Sequence, residues 1–93
     1  MPYSLDTSKS CAEDIRKKTA RNPVLEEALR RKLAQILEEP HRFKPLRFPL
    51  NDTRRVHVLG SFVLVYKIDE SAKAVRLLRF AHHDEAYEHK GLA

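Results

Sequence analysis

Cysteine is nearly missing from this chain: Cys11 is the only one in 93 residues. That excludes an internal disulfide framework and suits a reducing, cytoplasmic setting. Glycine occurs only twice, and no low-complexity tract or internal repeat is visible. Long apolar runs are lacking as well. The longest, "FVLVY", falls far short of the ~20 residues a membrane helix requires. The opening "MPYSLDTSKS" has no apolar h-region, so no secretory leader is expected.

What remains is the composition of a small globular domain, 42% hydrophobic and 33% charged. The length predicts one domain over residues 1–93. A chain this short buries only about 60–65% of its unfolded surface, so its core is thin. The net charge of +5 is unevenly placed. Between Pro40 and His57 stand Arg42, Lys44, Arg47, Arg54 and Arg55 against Asp52, a balance of +4. The other thirteen cations and twelve acids leave only +1. Concentrated positive charge favours a polyanion, most often nucleic acid.

The pattern along the chain predicts an α+β domain ordered β-α-α-β-β-β, a helical hairpin on a small, mainly antiparallel sheet. "YSLD" alternates and predicts a first strand over Tyr3 to Asp6. Ser10 and Glu13 have capping-box spacing, which starts a helix near Ser10. That helix would turn Cys11, Ala12, Ile15 and Ala20 inward. Asn22-Pro23 ends it and opens another, because asparagine caps well and proline suits the first turn. Leu25, Leu29, Leu33 and Ile36 then mark one apolar stripe that stops before Pro40. "HRFKPLRFPLND" reads as an irregular basic connection. "RRVHV", "FVLVYKI" and "AVRLLRFA" read as three strands of a meander, joined by "LGS" and "DESAK".

Arg55 and His57 stand two apart on the first of these strands, so they share one face. A guanidinium there can grip phosphate in bidentate fashion. A solvated edge strand is the plainer alternative. "AHHDEAY" follows the last strand. His82 and His83 are adjacent, so an extended chain would send them to opposite sides. Imidazole can serve as acid or base near neutral pH, and Tyr87 could donate a proton or stack on a base. A docked chain end with solvated histidines is the plainer alternative. His82, His83, His89, Asp84 and Glu85 are metal-ligating types, but their spacing fits no zinc pattern, so neither metal nor cofactor is expected. Cys11 sits on an inner helix face, where a thiol acts as a small hydrophobe.

"RRVHVLGSFVLVYKID" and "LLRFAHHDEAY", with the element order around them, resemble the RelE/ParE toxin superfamily. Motif-level likeness is confined to residues 54–87. The resemblance implies a toxin of a type II toxin–antitoxin system. In the RelE-like branch it implies a ribosome-dependent endoribonuclease that cuts messenger RNA without a metal, using the RNA's own 2′-hydroxyl, and so inhibits translation. It implies an acidic antitoxin as partner, a heterotetramer with it being one arrangement, and a cytoplasmic location. On the family pattern, Arg55, His57, His83 and Tyr87 fall at catalytic positions. Arg42, Lys44, Arg47, Arg54, Arg79 and His82 are RNA-binding candidates. Val63 departs from that pattern, which has arginine there. Arg54, Arg79 or Arg47 could replace the missing cation. The ParE branch, which inhibits DNA gyrase without cutting RNA, is the alternative, as is a binding module of weakened activity.

Overall fold

The computed structural model describes residues 3–45 and 53–83. Strand β1 (Ser4–Thr7) leads into α1 (Lys9–Thr19) and α2 (Pro23–Glu38), then a short 3-10 turn at Pro40–Arg42. Strands β2 (Thr53–Val58), β3 (Phe62–Asp69) and β4 (Ala74–His82) follow. The sheet runs β1-β4-β3-β2. β2, β3 and β4 form the antiparallel meander, and β1 joins β4 in parallel. The expected α+β architecture is therefore present, with the two helices on one side of the sheet.

Local chemistry explains where the elements begin. Asn22 caps α2 through its side-chain oxygen, which accepts from the Leu25 amide at 3.1 Å, and Pro23 occupies the first turn. For α1 the cap is Ser8 and not Ser10. The Ser8 hydroxyl accepts from the Cys11 amide at 3.2 Å, and its own amide is held by the Leu77 carbonyl on β4. The helix therefore starts as soon as β1 leaves the sheet, and β1 ends at Thr7, one residue later than its pattern suggested. Cys11 is fully buried and Ile15 packs against the core, but Ala12 and Ala20 are exposed. α1 meets the sheet along a narrower stripe than its small residues implied.

The core gathers Cys11, Leu25, Leu29 and Ile36 from the helices onto Val56, Val58, Leu64, Tyr66, Val75, Leu77 and Phe80. Each large apolar side chain buried there stabilises the fold by about 1.5–3 kcal/mol. Tyr66 is wholly buried, and its hydroxyl donates to the Pro40 carbonyl at 2.7 Å. Desolvation pushes the Tyr66 phenol up to about 12. Burial likewise pushes the Cys11 thiol up to about 11, which keeps it an unreactive hydrophobe. Among the described residues no helix is long and apolar enough to cross a membrane.

One irregularity sets the outer face of the sheet. Val65 pairs with Arg79, yet Tyr66 pairs with Leu77, so Leu78 is an extra residue in β4. Such a bulge resets the alternation by one step. Leu77 and Phe80, three apart, both face the helices. Arg76 and Arg79, also three apart, both face away.

Candidate functional site

The face opposite the helices can be followed across the strands, because residues opposite one another in a ladder share a face. Arg55 lies opposite Val65 and Val65 opposite Arg79. His57 lies opposite Val63 and Val63 opposite Ala81. Thr53, Lys67 and Arg76 form a third row. The face thus presents Arg55, His57, Lys67, Arg76 and Arg79 around a low floor of Val63, Val65 and Ala81. Arg76 pairs there with Asp6 on β1.

His83 completes the group. It lies two residues beyond Ala81, and its amide donates to the Ser61 carbonyl at 2.6 Å, which anchors it to the β2–β3 turn. That turn holds both Leu59 and Gly60 at positive φ, 57° and 74°. The His83 ring stands beside that of His57, with centroids 5.8 Å apart and planes 28° apart. Strands β2 and β4 are separated by β3, a gap of about 9.6 Å. Both imidazoles must therefore lean inward over Val63 and Ala81. These two residues are nearly inaccessible, at 1% and 5% exposure, and they are small enough to leave room for that approach. An arginine at position 63 would occupy that space.

The other sequence candidates are distributed elsewhere. His82 pairs with Phe62, and its ring meets the Phe62 ring edge-on at 5.3 Å on the helix-facing side. Arg54 faces that side too. It donates to the Phe43 carbonyl at 2.9 Å and to His41 Nδ1 at 3.2 Å. A guanidinium can only donate, so His41 carries its hydrogen on Nε2 and donates it to Glu70. Glu70 also accepts from the Tyr3 hydroxyl at 2.9 Å and from Lys73 at 3.1 Å. These bonds, that from His41 foremost, hold its carboxyl down at about 2. The same carboxylate raises the Tyr3 phenol and the Lys73 ammonium. This polar chain ties Tyr3, the 3-10 turn, β2 and the β3–β4 turn together, and Arg54 belongs to it. Arg42 sits with Glu38 and Glu39 at the end of α2, its guanidinium 6.0 Å from the Phe43 ring. Lys44, two residues further on, is exposed. The basic segment is thus divided between two sides of the domain. Arg47 and Tyr87 lie outside the described residues.

Lys67 and Arg76 were not among the sequence candidates, although they share the face of Arg55 and Arg79. Lys67 had a signal, since it falls on the period of Val63 and Val65. Arg76 had none, because its side is set by the bulge at Leu78. Among the described residues no three of His, Cys, Asp and Glu come together as metal ligands.

Comparison with known proteins adds to this geometry. Residues 6–87 match the family model described as the ParE toxin of the type II toxin–antitoxin system parDE. The chain belongs to the RelE/ParE toxin family. Among individual relatives of this RelE/ParE member, a Methanocaldococcus jannaschii protein provisionally named toxin RelE4 is 39% identical over 90 residues, 97% of this chain and 96% of that one. The toxin–antitoxin complex RelBE2 from Mycobacterium tuberculosis contains a chain 28% identical, with a TM-score of 0.71. That match covers 89% of this chain and 100% of the other. A RelE mutant of E. coli in complex with an antitoxin RelBc peptide has the same fold, with a TM-score of 0.77 at 21% identity. It covers 100% of this chain and 96% of its own. The protein is thus a type II toxin of the RelE/ParE family.

Proposed function

We propose that this toxin cleaves messenger RNA on the ribosome, with the outer face of the sheet as its active surface. The observation that carries the reading is the approach of His57 and His83 within a rim of Arg55, Arg79 and Lys67. Such a face can take a sugar–phosphate chain along its cations and present an imidazole to the scissile link. The RNA 2′-oxygen attacks the adjacent phosphorus and loses its proton to a base. The bond from phosphorus to the 5′-oxygen breaks, and that oxygen gains a proton. The products are a cyclic phosphate and a free 5′-hydroxyl. His83 is the acid–base group, Arg55 and His57 hold the phosphate, and Tyr87 is a second proton-transfer candidate on sequence grounds. Arg79, across Val65 from Arg55, supplies the cation that Val63 does not. Preorganised positive charge of this kind stabilises the charge that develops on the phosphorane.

The partner in this reading is an acidic antitoxin that covers the toxin and silences it, within the cytoplasm. The antitoxin complexes among the structural neighbours support it. The decisive experiment is cleavage of messenger on translating ribosomes by the wild-type chain, His83→Ala and Tyr87→Phe. Cutting by wild type that fails in His83→Ala is the expected result. Wild-type-like cutting by both variants removes these residues from the mechanism.

A second reading is favoured by Val63 and by the match to the ParE model. In it the toxin is a non-enzymatic gyrase inhibitor. Purified chain that stalls gyrase supercoiling while leaving ribosome-bound messenger intact would establish that reading instead.

A further inference from the structure

The cations of the outer face stand in three rows. His57 and His83 make the first, Arg55 and Arg79 the second, and Lys67 and Arg76 the third. The rows cross β3 at Val63, Val65 and Lys67, so each is two residues from the next, a step of about 6.8 Å. Successive phosphates of an extended single strand repeat on nearly the same step, and proteins hold single strands in charged grooves that follow the backbone. The two ends of this track differ. Beyond the first row lies the β2–β3 turn, Leu59-Gly60-Ser61, which carries no charged residue. Beyond the third row the charge reverses. Lys67 and Arg76 border a hollow of about 520 Å³ that Asp6, Asp69 and Glu70 also line. The Asp69 carboxylate accepts from the Ser71 hydroxyl at 2.8 Å and from the Ala72 amide at 3.2 Å, which holds it below its ordinary value. Glu70, at about 2, is likewise an anion at neutral pH. A fourth phosphate would meet repulsion there.

Resting on the cleavage reading above, we infer that Lys67 and Arg76 form a phosphate subsite two links from the scissile one, and that Asp6 sets its strength. Asp6 stands opposite Arg76 in the β1–β4 ladder, and the two side chains form an ion pair. The pair keeps the guanidinium on the outer face, but it also neutralises the charge that a phosphate would seek. The Arg76 and Asp6 side chains are 47% and 56% exposed, so a phosphate can reach them from solvent and compete with the carboxylate. A guanidinium binds either anion through the same fork of N–H donors. Asp6 therefore lowers affinity at the far end of the track without touching the imidazoles. The track runs from His57 and His83 in one direction only. Its fitting ligand is a single strand of four nucleotides, whose three phosphates occupy the three rows.

The test is fluorescence anisotropy of the full-length chain with labelled 2′-O-methyl oligoadenylates. These carry no terminal phosphate, and their blocked 2′-oxygen prevents cleavage. Affinity should climb with each nucleotide up to the tetramer and then level off. Lys67→Gln should bring the plateau forward to the trimer. On the tetramer, Asp6→Asn should tighten binding about two- to fivefold, the scale of one exposed ion pair, while Asp6→Glu stays within about twofold of wild type. Asp6→Asn should also raise the slope of log affinity against log salt by about 0.7. Arg76→Gln should cost more affinity in the Asp6→Asn background than in wild type. A wild-type plateau at the dimer or trimer would overturn the inference. So would weaker tetramer binding by Asp6→Asn, or equal Arg76→Gln losses in the two backgrounds. Messenger cleavage by the wild-type chain is measured beside this. A chain that binds as expected but does not cut defeats the cleavage reading and leaves the subsite standing. A chain that cuts, while Asp6→Asn and Lys67→Gln bind like wild type, keeps that reading and loses the subsite.

Discussion

The imidazoles of His57 and His83 lie 5.8 Å apart and close to parallel, although their strands are separated by another strand. This is the spacing of an offset ring pair, and it lets the two groups share one anion above them. Removing either should therefore harm the same step. A positioned acid–base group, the role of His83, contributes about 10²–10⁴-fold to rate, and a positioned contact to developing charge, the role of His57, about 10²–10³-fold. His57→Ala and His83→Ala should each slow ribosomal messenger cleavage by a factor in the corresponding range. The double variant should fall far short of the product of the two losses, because the residues act as a unit. Single-turnover cleavage rates of the four proteins check this, and fully multiplicative losses would separate the two roles.

Arg55 and Lys67 face the proposed RNA track, whereas Arg54 faces the helices and binds the Phe43 carbonyl and His41. Their effects on RNA binding should differ in kind. Each cation that neutralises a phosphate of single-stranded RNA adds about 0.7 to the slope of log affinity against log salt. Arg55→Gln and Lys67→Gln should each reduce the slope by about that amount. Arg54→Gln should leave the slope unchanged and lower the unfolding midpoint instead. Fluorescence anisotropy over a salt series, with a urea titration beside it, separates the two behaviours.

Much of this arrangement was legible in the sequence. The two-residue alternation of "RRVHV" put Arg55 and His57 on one face, and the adjacency of His82 and His83 implied that they diverge. Asn22-Pro23 marked the joint between the helices. Counting charge by segment was less reliable. It grouped Arg54 with Arg55 because they are neighbours in the chain, but neighbours on a strand point to opposite sides. The α1 cap was misplaced because Ser8 and Ser10 offer the same chemistry, and what selects Ser8 is a hydrogen bond to β4, 69 residues further on. The union of Arg76 with Arg79 could not be read at all. It depends on the bulge at Leu78, which arises only when β3 and β4 pair.

Tyr66 donates to the Pro40 carbonyl at 2.7 Å from a fully buried position. Tyr66→Phe leaves that acceptor without its donor and should destabilise the fold by about 1–3 kcal/mol. Its pH dependence has a definite sign. Burial raises the folded-state phenol from 10 to about 12, so the folded chain holds the proton more tightly than the unfolded one. The resulting stability is complete below pH 10 and is lost as pH rises from 10 toward about 12. Cys11, raised from 9 to about 11, contributes in the same direction from a lower pH. The difference between wild type and Tyr66→Phe in alkaline urea titrations isolates the phenol: the gap should narrow as pH passes 10.

Glu70 behaves in the opposite sense at acid pH. His41, Tyr3 and Lys73 all donate to its carboxylate and lower it from 4.5 to about 2. The folded state then favours the ionised form, and the stability this brings is present above pH 4.5 and lost as pH falls toward about 2. The group is exposed and its bonds are open to water, so added salt should shrink the effect. Glu70→Gln removes the titration while retaining an acceptor oxygen for Tyr3. Between pH 5 and pH 2.5 its urea midpoint should therefore fall less than that of wild type. A parallel decline in the two proteins would show that the four-residue cluster does not hold the 3-10 turn against the sheet, and that Arg54 acts without it.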